Sequence, residues 1–265
     1  MSALESLRQG DVDQALEQLQ SEIRRDPANA EHRVFLFQLL CVLGDWDRAL
    51  RQLNLAGEMD ASALAMVQTY REALRCEALR EKVFRGETHP LVLGEPEAWY
   101  AEAISALGLE AAGEHQAAAA ARASAYDKAA TVSGTLDGEP FEWIADADSR
   151  IGPFLEAVIN GNYYWLPFER VSSIIFEPPV DLRDMVWLPC QITFSNEGQS
   201  VGLIPVRYPG SESSPDAALR LARKTEWQQV ADDVYFGQGQ RLLATDRSEH
   251  ALLDVRQIEF AQAGG

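Results

Sequence analysis

A seven-residue string occurs twice near the start of the chain. Gly10-Asp11-Val12-Asp13-Gln14-Ala15-Leu16 returns as Gly44-Asp45-Trp46-Asp47-Arg48-Ala49-Leu50, and Gly44 follows Gly10 by 34 residues. A unit of this length cannot bury its apolar face alone, so the repetition confines the first part of the chain to a stack of similar units. The residue types fit such a unit. Gly permits a tight turn between helices, the acidic residues cap and charge the first turn of the next helix, and Ala allows two helices to approach closely. A degenerate third copy, Gly113-Glu114-His115-Gln116-Ala117-Ala118, begins 69 residues beyond Gly44, about two periods further on.

The period is that of the tetratricopeptide repeat, a pair of antiparallel helices. Asp26-Pro27 sits where such a unit closes, because Pro ends one helix and opens the next. The stretch from Ala30 to Leu43 is apolar on most sides, as a helix sandwiched between neighbours is. From Ala63 to Phe84, Leu64, Val67, Tyr70, Leu74 and Ala78 recur at helical spacing. Thr88-His89-Pro90 and Gly94-Glu95-Pro96 break the chain, and a further hairpin is expected over Glu97–Leu107 and Glu114–Ala130, the run Ala117 to Ala121 being a strong helix former. Stacked hairpins leave a groove suited to a peptide or helix of a partner. Arg33, Phe37 and Gln38, on the helix before the second copy, are its expected contacts.

The pattern changes near Val132-Ser133-Gly134, where prolines, aromatics and β-branched residues become common. The expected organisation is therefore a tetratricopeptide-like helical stack over residues 1–131, then a compact, mainly antiparallel α+β domain over 132–265. A short helix is expected over Ile151–Ile159, with Asp148 or Ser149 as its cap and Gly161 beyond its end. Strands are expected at Tyr163–Leu166, Val171–Phe176, Val186–Phe194, Val201–Pro205, Gln240–Ala244 and Leu252–Phe260, and a second helix at Ser214–Arg223.

Charge and composition narrow the function. The formal net charge of −18 argues against nucleic acid and anionic membranes, since both demand basic side chains. No apolar run approaches the length of a membrane span, and the opening residues Met1 to Arg8 lack the apolar core of a secretory signal, so a cytoplasmic location is expected. Cys41, Cys76 and Cys190 form no paired motif and read as buried reduced thiols. With four histidines no zinc pattern can be assembled, and no cofactor or metal is expected. Asp146 and Asp148, with His250 as a third candidate, offer the alternative of a hydrolase or metal-dependent site, but no calcium-loop Gly and Glu follow them. With Glu142 and Arg150 they equally suit an ion-pair network at a domain junction. Gly237-Gln238-Gly239-Gln240-Arg241 reads as a turn between strands, outside any nucleotide-binding setting. A self-associating scaffold, including a homodimer, is the remaining alternative.

Five strings in the second half carry a resemblance. Trp143 to Arg150 (WIADADSR), Tyr163 to Arg170 (YYWLPFER), Asp181 to Pro189 (DLRDMVWLP), Arg207 to Glu212 (RYPGSE) and Thr225-Glu226-Trp227 resemble the ImpE/TagJ, or SciE-type, family. The likeness covers almost the whole chain, repeats first and the second domain after them. It implies a non-enzymatic accessory protein of the bacterial type VI secretion system. Such a protein binds a helix near the N-terminus of the small sheath subunit and is thereby linked, indirectly, to the ClpV-type AAA+ ATPase that disassembles contracted sheath. The resemblance brings no catalytic residues, and the aromatic strings are expected to hold the two domains together.

Overall fold

The computed structural model describes residues 2–95 and 97–261. Met1, the expected chain-breaker Pro96 and the last four residues of the expected second domain lie outside them. Among the described residues seven α-helices come first: α1 (Ala3–Arg8), α2 (Val12–Arg25), α3 (Ala30–Val42), α4 (Trp46–Met59), α5 (Leu64–Phe84), α6 (Ala98–Ala111) and α7 (His115–Tyr126). α1 pairs with α2, α3 with α4 and α6 with α7.

The repeated string explains these hairpins. Gly10, Gly44 and Gly113 adopt φ of +86°, +71° and +78°. Each lets the next N–H return five residues, Asp11 to the Ser6 carbonyl, Asp45 to Leu40 and Glu114 to Leu109, at 2.9, 3.0 and 2.9 Å. Asp11 and Asp45 then accept from the backbone N–H groups of Gln14 and Arg48, at 2.9 and 3.2 Å. One Gly-Asp pair thus stops a helix and starts the next. In the degenerate third copy Glu114 makes no side-chain cap.

The strands are β1 (Leu91–Val92), β2 (Gly134–Leu136), β3 (Glu139–Phe141), β4 (Ile144–Asp146), β5 (Phe154–Ile159), β6 (Asn162–Pro167), β7 (Val171–Phe176), β8 (Trp187–Phe194), β9 (Gln199–Pro205), β10 (Thr225–Ala231), β11 (Val234–Gly239), β12 (Leu242–Thr245), β13 (Glu249–Ala251) and β14 (Gln257–Phe260). Nine of them form one sheet in the order β1-β6-β5-β9-β8-β7-β14-β2-β3, antiparallel except for β1 against β6. A three-stranded sheet, β13-β12-β4, and the hairpin β10-β11 complete the β layer. The fold is thus a helical stack followed by a sheet-rich α+β half, as the sequence leads one to expect.

Two helix expectations are corrected. Residues 154–159 are strand β5, and the expected helix ending before Gly161 does not exist; Asn160 and Gly161, both at positive φ, turn β5 into β6. Every residue of β5 is buried because the sheet is covered on both faces, which erases the alternation that marks a half-exposed strand. Ser214–Arg223 contains only a four-residue helix, α8 (Ala217–Arg220).

The β layer is clamped to the helices. One apolar cluster joins Leu39, Leu40, Val83 and Trp99 to Phe154, Trp165, Trp187 and Tyr208, and a second fills the opposite face of the sheet around Leu155, Leu188, Ile204 and Ile258. Two arginines of the second half cap helices of the repeats. Arg223 donates to the Leu7 and Arg8 carbonyls at the end of α1 (3.0 and 3.4 Å). Arg207 donates to those of Cys41 and Val42 at the end of α3 (3.0 and 2.7 Å). Cys41 and Val42 occupy the places of Leu7 and Arg8 one repeat period later, so each arginine meets the same orphan carbonyls and negative helix end.

Candidate functional site

The concave surface most suited to a partner is a groove of about 800 Å³ where α1, α2 and α3 meet the segment between β7 and β8. Ala3, Leu4, Leu7, Val34, Phe35 and Gln38 line one side and Pro179, Val180, Asp181, Leu182 and Met185 the other. Leu4 is 48% exposed and Val180 85%, so apolar carbon faces solvent at both lips. Glu22 and Glu31 stand on the helical rim.

The β7–β8 segment, here called the strap, is held in shape by its own polar groups. Asp184 accepts from the N–H groups of Val180 (2.7 Å) and Asp181 (3.0 Å), while Asp181 accepts from Arg183 N–H at 3.1 Å. The Arg183 guanidinium pairs with Asp181 at 2.9 Å and lies 4.7 Å from the Tyr70 ring of α5. Burial pushes the Asp181 carboxyl up, against the pull of Arg183. Tyr70 in turn meets Phe37 edge-on at 5.9 Å and Trp187 at 5.8 Å, tying strap, repeats and sheet together.

Of the three contacts expected from sequence, Gln38 lies in the groove. Phe37 is fully buried beneath it, and Arg33 turns towards α4, donating to Gln52 at 3.1 Å. A helical period alone does not distinguish these three directions. The strap, which has no period, was absent from the expected contacts, although its string from Asp181 carries part of the family resemblance and the pair Pro178-Pro179 marks its start.

The acidic residues of the second half belong to a buried network. Asp146 pairs with Arg241, which also pairs with Glu156. Glu156 accepts a two-point contact from Arg80 of α5, at 2.6 and 3.0 Å, and a bond from the Tyr163 hydroxyl. Burial acts to raise the Glu156 carboxyl, but Arg80 and Arg241 overcome it and hold it at about 2. Asp148 takes two contacts from Arg150, at 2.9 and 2.5 Å, and accepts Gly237 N–H at 2.8 Å. Arg150 lies 5.3 Å from the Phe84 ring of α5. Asp146, Asp148 and Arg150 therefore make an ion-pair network at the junction of the two halves, whereas Glu142 is exposed and outside it. His250 is on β13, separated from Asp146 by β12, with its Nε2 3.0 Å from Ser248 Oγ. These three groups do not converge. The cysteines are free and buried, and burial pushes the Cys76 and Cys190 thiols up to about 12.

The aromatic strings do join the halves. Trp187 donates to Glu77 of α5 at 2.8 Å, and the Trp165 ring meets that of Phe84, also of α5, at 5.8 Å. No helix among the described residues is long and apolar enough to cross a membrane.

Comparison with known proteins agrees with this anatomy. A tetratricopeptide-repeat model matches residues 6–72, and the model described as ImpE protein matches residues 138–259. The type VI secretion system accessory component TagJ of Pseudomonas aeruginosa is 50% identical over 260 residues, spanning 98% of this chain and 91% of that protein. The crystal structure of a Vibrio parahaemolyticus protein, 23% identical, superposes with a TM-score of 0.89 over 98% of this chain and 97% of that one. At that identity the likeness speaks to fold.

Proposed function

From the premise that this chain belongs to the ImpE/TagJ family, we propose that it is an adaptor of the bacterial type VI secretion system, with no catalytic step of its own. Its partner is the N-terminal helix of the small sheath subunit, and through the sheath it is linked to the ClpV-type AAA+ ATPase. It works in the cytoplasm. The observation that carries the reading is the open apolar groove between the first repeats and the strap, whose lining includes Gln38. Helical-repeat grooves hold partner helices by their apolar face, which needs no reactive group. The acidic residues that invite an enzymatic reading are engaged with arginines inside the protein, which supports an adaptor.

The test is calorimetry of the full chain with a synthetic peptide covering that sheath helix at physiological salt. Micromolar or tighter binding is expected. No detectable binding to the peptide, together with none to assembled sheath, would sink the proposal.

A further inference from the structure

Resting on the adaptor reading, we infer that the docking groove is composite: the strap of the second half is one of its walls and selects an amphipathic helix with basic side chains along one flank. Three observations carry this. The first is the lining. Pro179, Val180, Leu182 and Met185 face the apolar side chains of α1 and α3 across one concavity, so the repeats alone supply only half of it. Val180, 85% exposed and positioned by the Asp184 carboxylate beneath its N–H, is an apolar side chain held out into solvent. Leaving it there brings no stability, and covering it removes apolar area from water.

The second observation concerns backbone hydrogen bonding, which discriminates a helix from an extended peptide. An extended segment needs free N–H and C=O groups in the wall it adds to. Here the strap offers no row of donors. Pro178 and Pro179 have no N–H, Glu177 donates to Pro189, and Val180 and Asp181 donate to Asp184. The opposite wall is helix, whose backbone bonds are internal beyond the first turns, where Glu22 takes the Ala3 N–H and Asn29 those of Glu31 and His32. Only an occupant that satisfies its own backbone loses nothing on entering, and a helix does.

Charge is the third. Glu22 and Glu31 stand on the rim, and neither forms an ion pair among the described residues. The chain as a whole carries −18. An apolar floor beside two carboxylates that no side-chain cation neutralises, Glu22 accepting the Ala3 N–H at 3.4 Å, matches a helix with apolar residues at i, i+3, i+4 and i+7 and Lys or Arg on the neighbouring flank, and it repels an acidic one.

The test compares full-length wild type with Val180→Asp, Glu31→Lys and, as a control on the outer sheet face, Val201→Asp, each confirmed folded by its thermal melt. Two probes are titrated: the sheath-helix peptide and a designed amphipathic peptide with lysines on one flank. Val180→Asp should weaken both at least tenfold, Glu31→Lys should weaken them several-fold and flatten the salt dependence, and Val201→Asp should change neither. If wild type binds and Val180→Asp binds as tightly, the composite groove is overturned while the adaptor reading stands. If the designed peptide binds in a Val180-dependent way and the sheath peptide does not, the groove stands and the sheath partner falls. Binding of neither probe overturns the groove, and the adaptor reading falls with it if assembled sheath also fails to bind.

Discussion

Glu156 has no exposed surface and answers to two cations, Arg80 from α5 and Arg241 from the turn before β12. Removing one partner of such a cluster costs more than the cluster adds, because the remaining charges stay buried. Glu156→Gln is therefore expected to destabilise the protein by about 3–5 kcal/mol at neutral pH, read from urea unfolding. The acid limb gives a second readout. The folded carboxyl is held at about 2, below its ordinary 4.5, so the unfolded chain takes up a proton first as pH falls. The stabilisation is complete above 4.5 and is lost between 4.5 and 2, which makes the stability of wild type fall across that window more steeply than that of the variant. Parallel acid limbs would show that Glu156 is not the group that titrates. None of this was visible in sequence: the partners lie 76 and 85 residues apart from Glu156, and only the fold brings them together.

At the scale of elements, the glycine turns separate local from long-range constraint. Gly44 and Gly113 share the left-handed conformation, yet a Cβ on Gly44 would stand 2.5 Å from Glu212 Cγ, whereas one on Gly113 meets nothing within 4 Å. Gly113→Ala should cost about 1 kcal/mol, the price of φ alone. Gly44→Ala should cost about 1–3 kcal/mol more, because the second half docks directly on that turn, and Glu212→Ala should recover part of the difference. Equal costs in thermal melts would mean that Glu212 simply moves aside. The contrast also explains what sequence revealed. The helical hairpins were legible because their Gly-Asp signals act within one turn. Strands β7, β8 and β9 were legible from β-branched runs bounded by turns. Strand β5 read as a helix because burial on both faces removed its alternation, and the hairpin β10-β11 was missed because Gln228, Gln229, Gly237, Gln238 and Gly239 interrupt its apolar residues. The groove was half legible: its helical side follows from the repeat, while the strap is irregular and depends on Asp184, Arg183 and Tyr70 meeting in space.

For the whole molecule, the arginine caps and the shared core change what the division at residues 131 and 132 means. Chain composition divides there, but Trp99, Phe154, Trp165 and Trp187 belong to one apolar cluster, and Arg80, Arg207 and Arg223 cross between the halves. Melting the helices alone would strip one face of the nine-stranded sheet and leave Glu156 and Arg241 without Arg80. Melting the sheets alone would uncap α1 and α3 and expose Tyr70 and Leu40. Neither half can open without leaving buried charge and apolar surface in water, so unfolding should be cooperative across the chain despite the repeat architecture of its first part. Scanning calorimetry should give one transition, with calorimetric and van't Hoff enthalpies equal, and far-ultraviolet and tryptophan signals that coincide. Two resolved transitions would instead mean that the halves are independently stable. The groove would then sit across a movable joint, and its strap could not be a fixed wall for a partner helix.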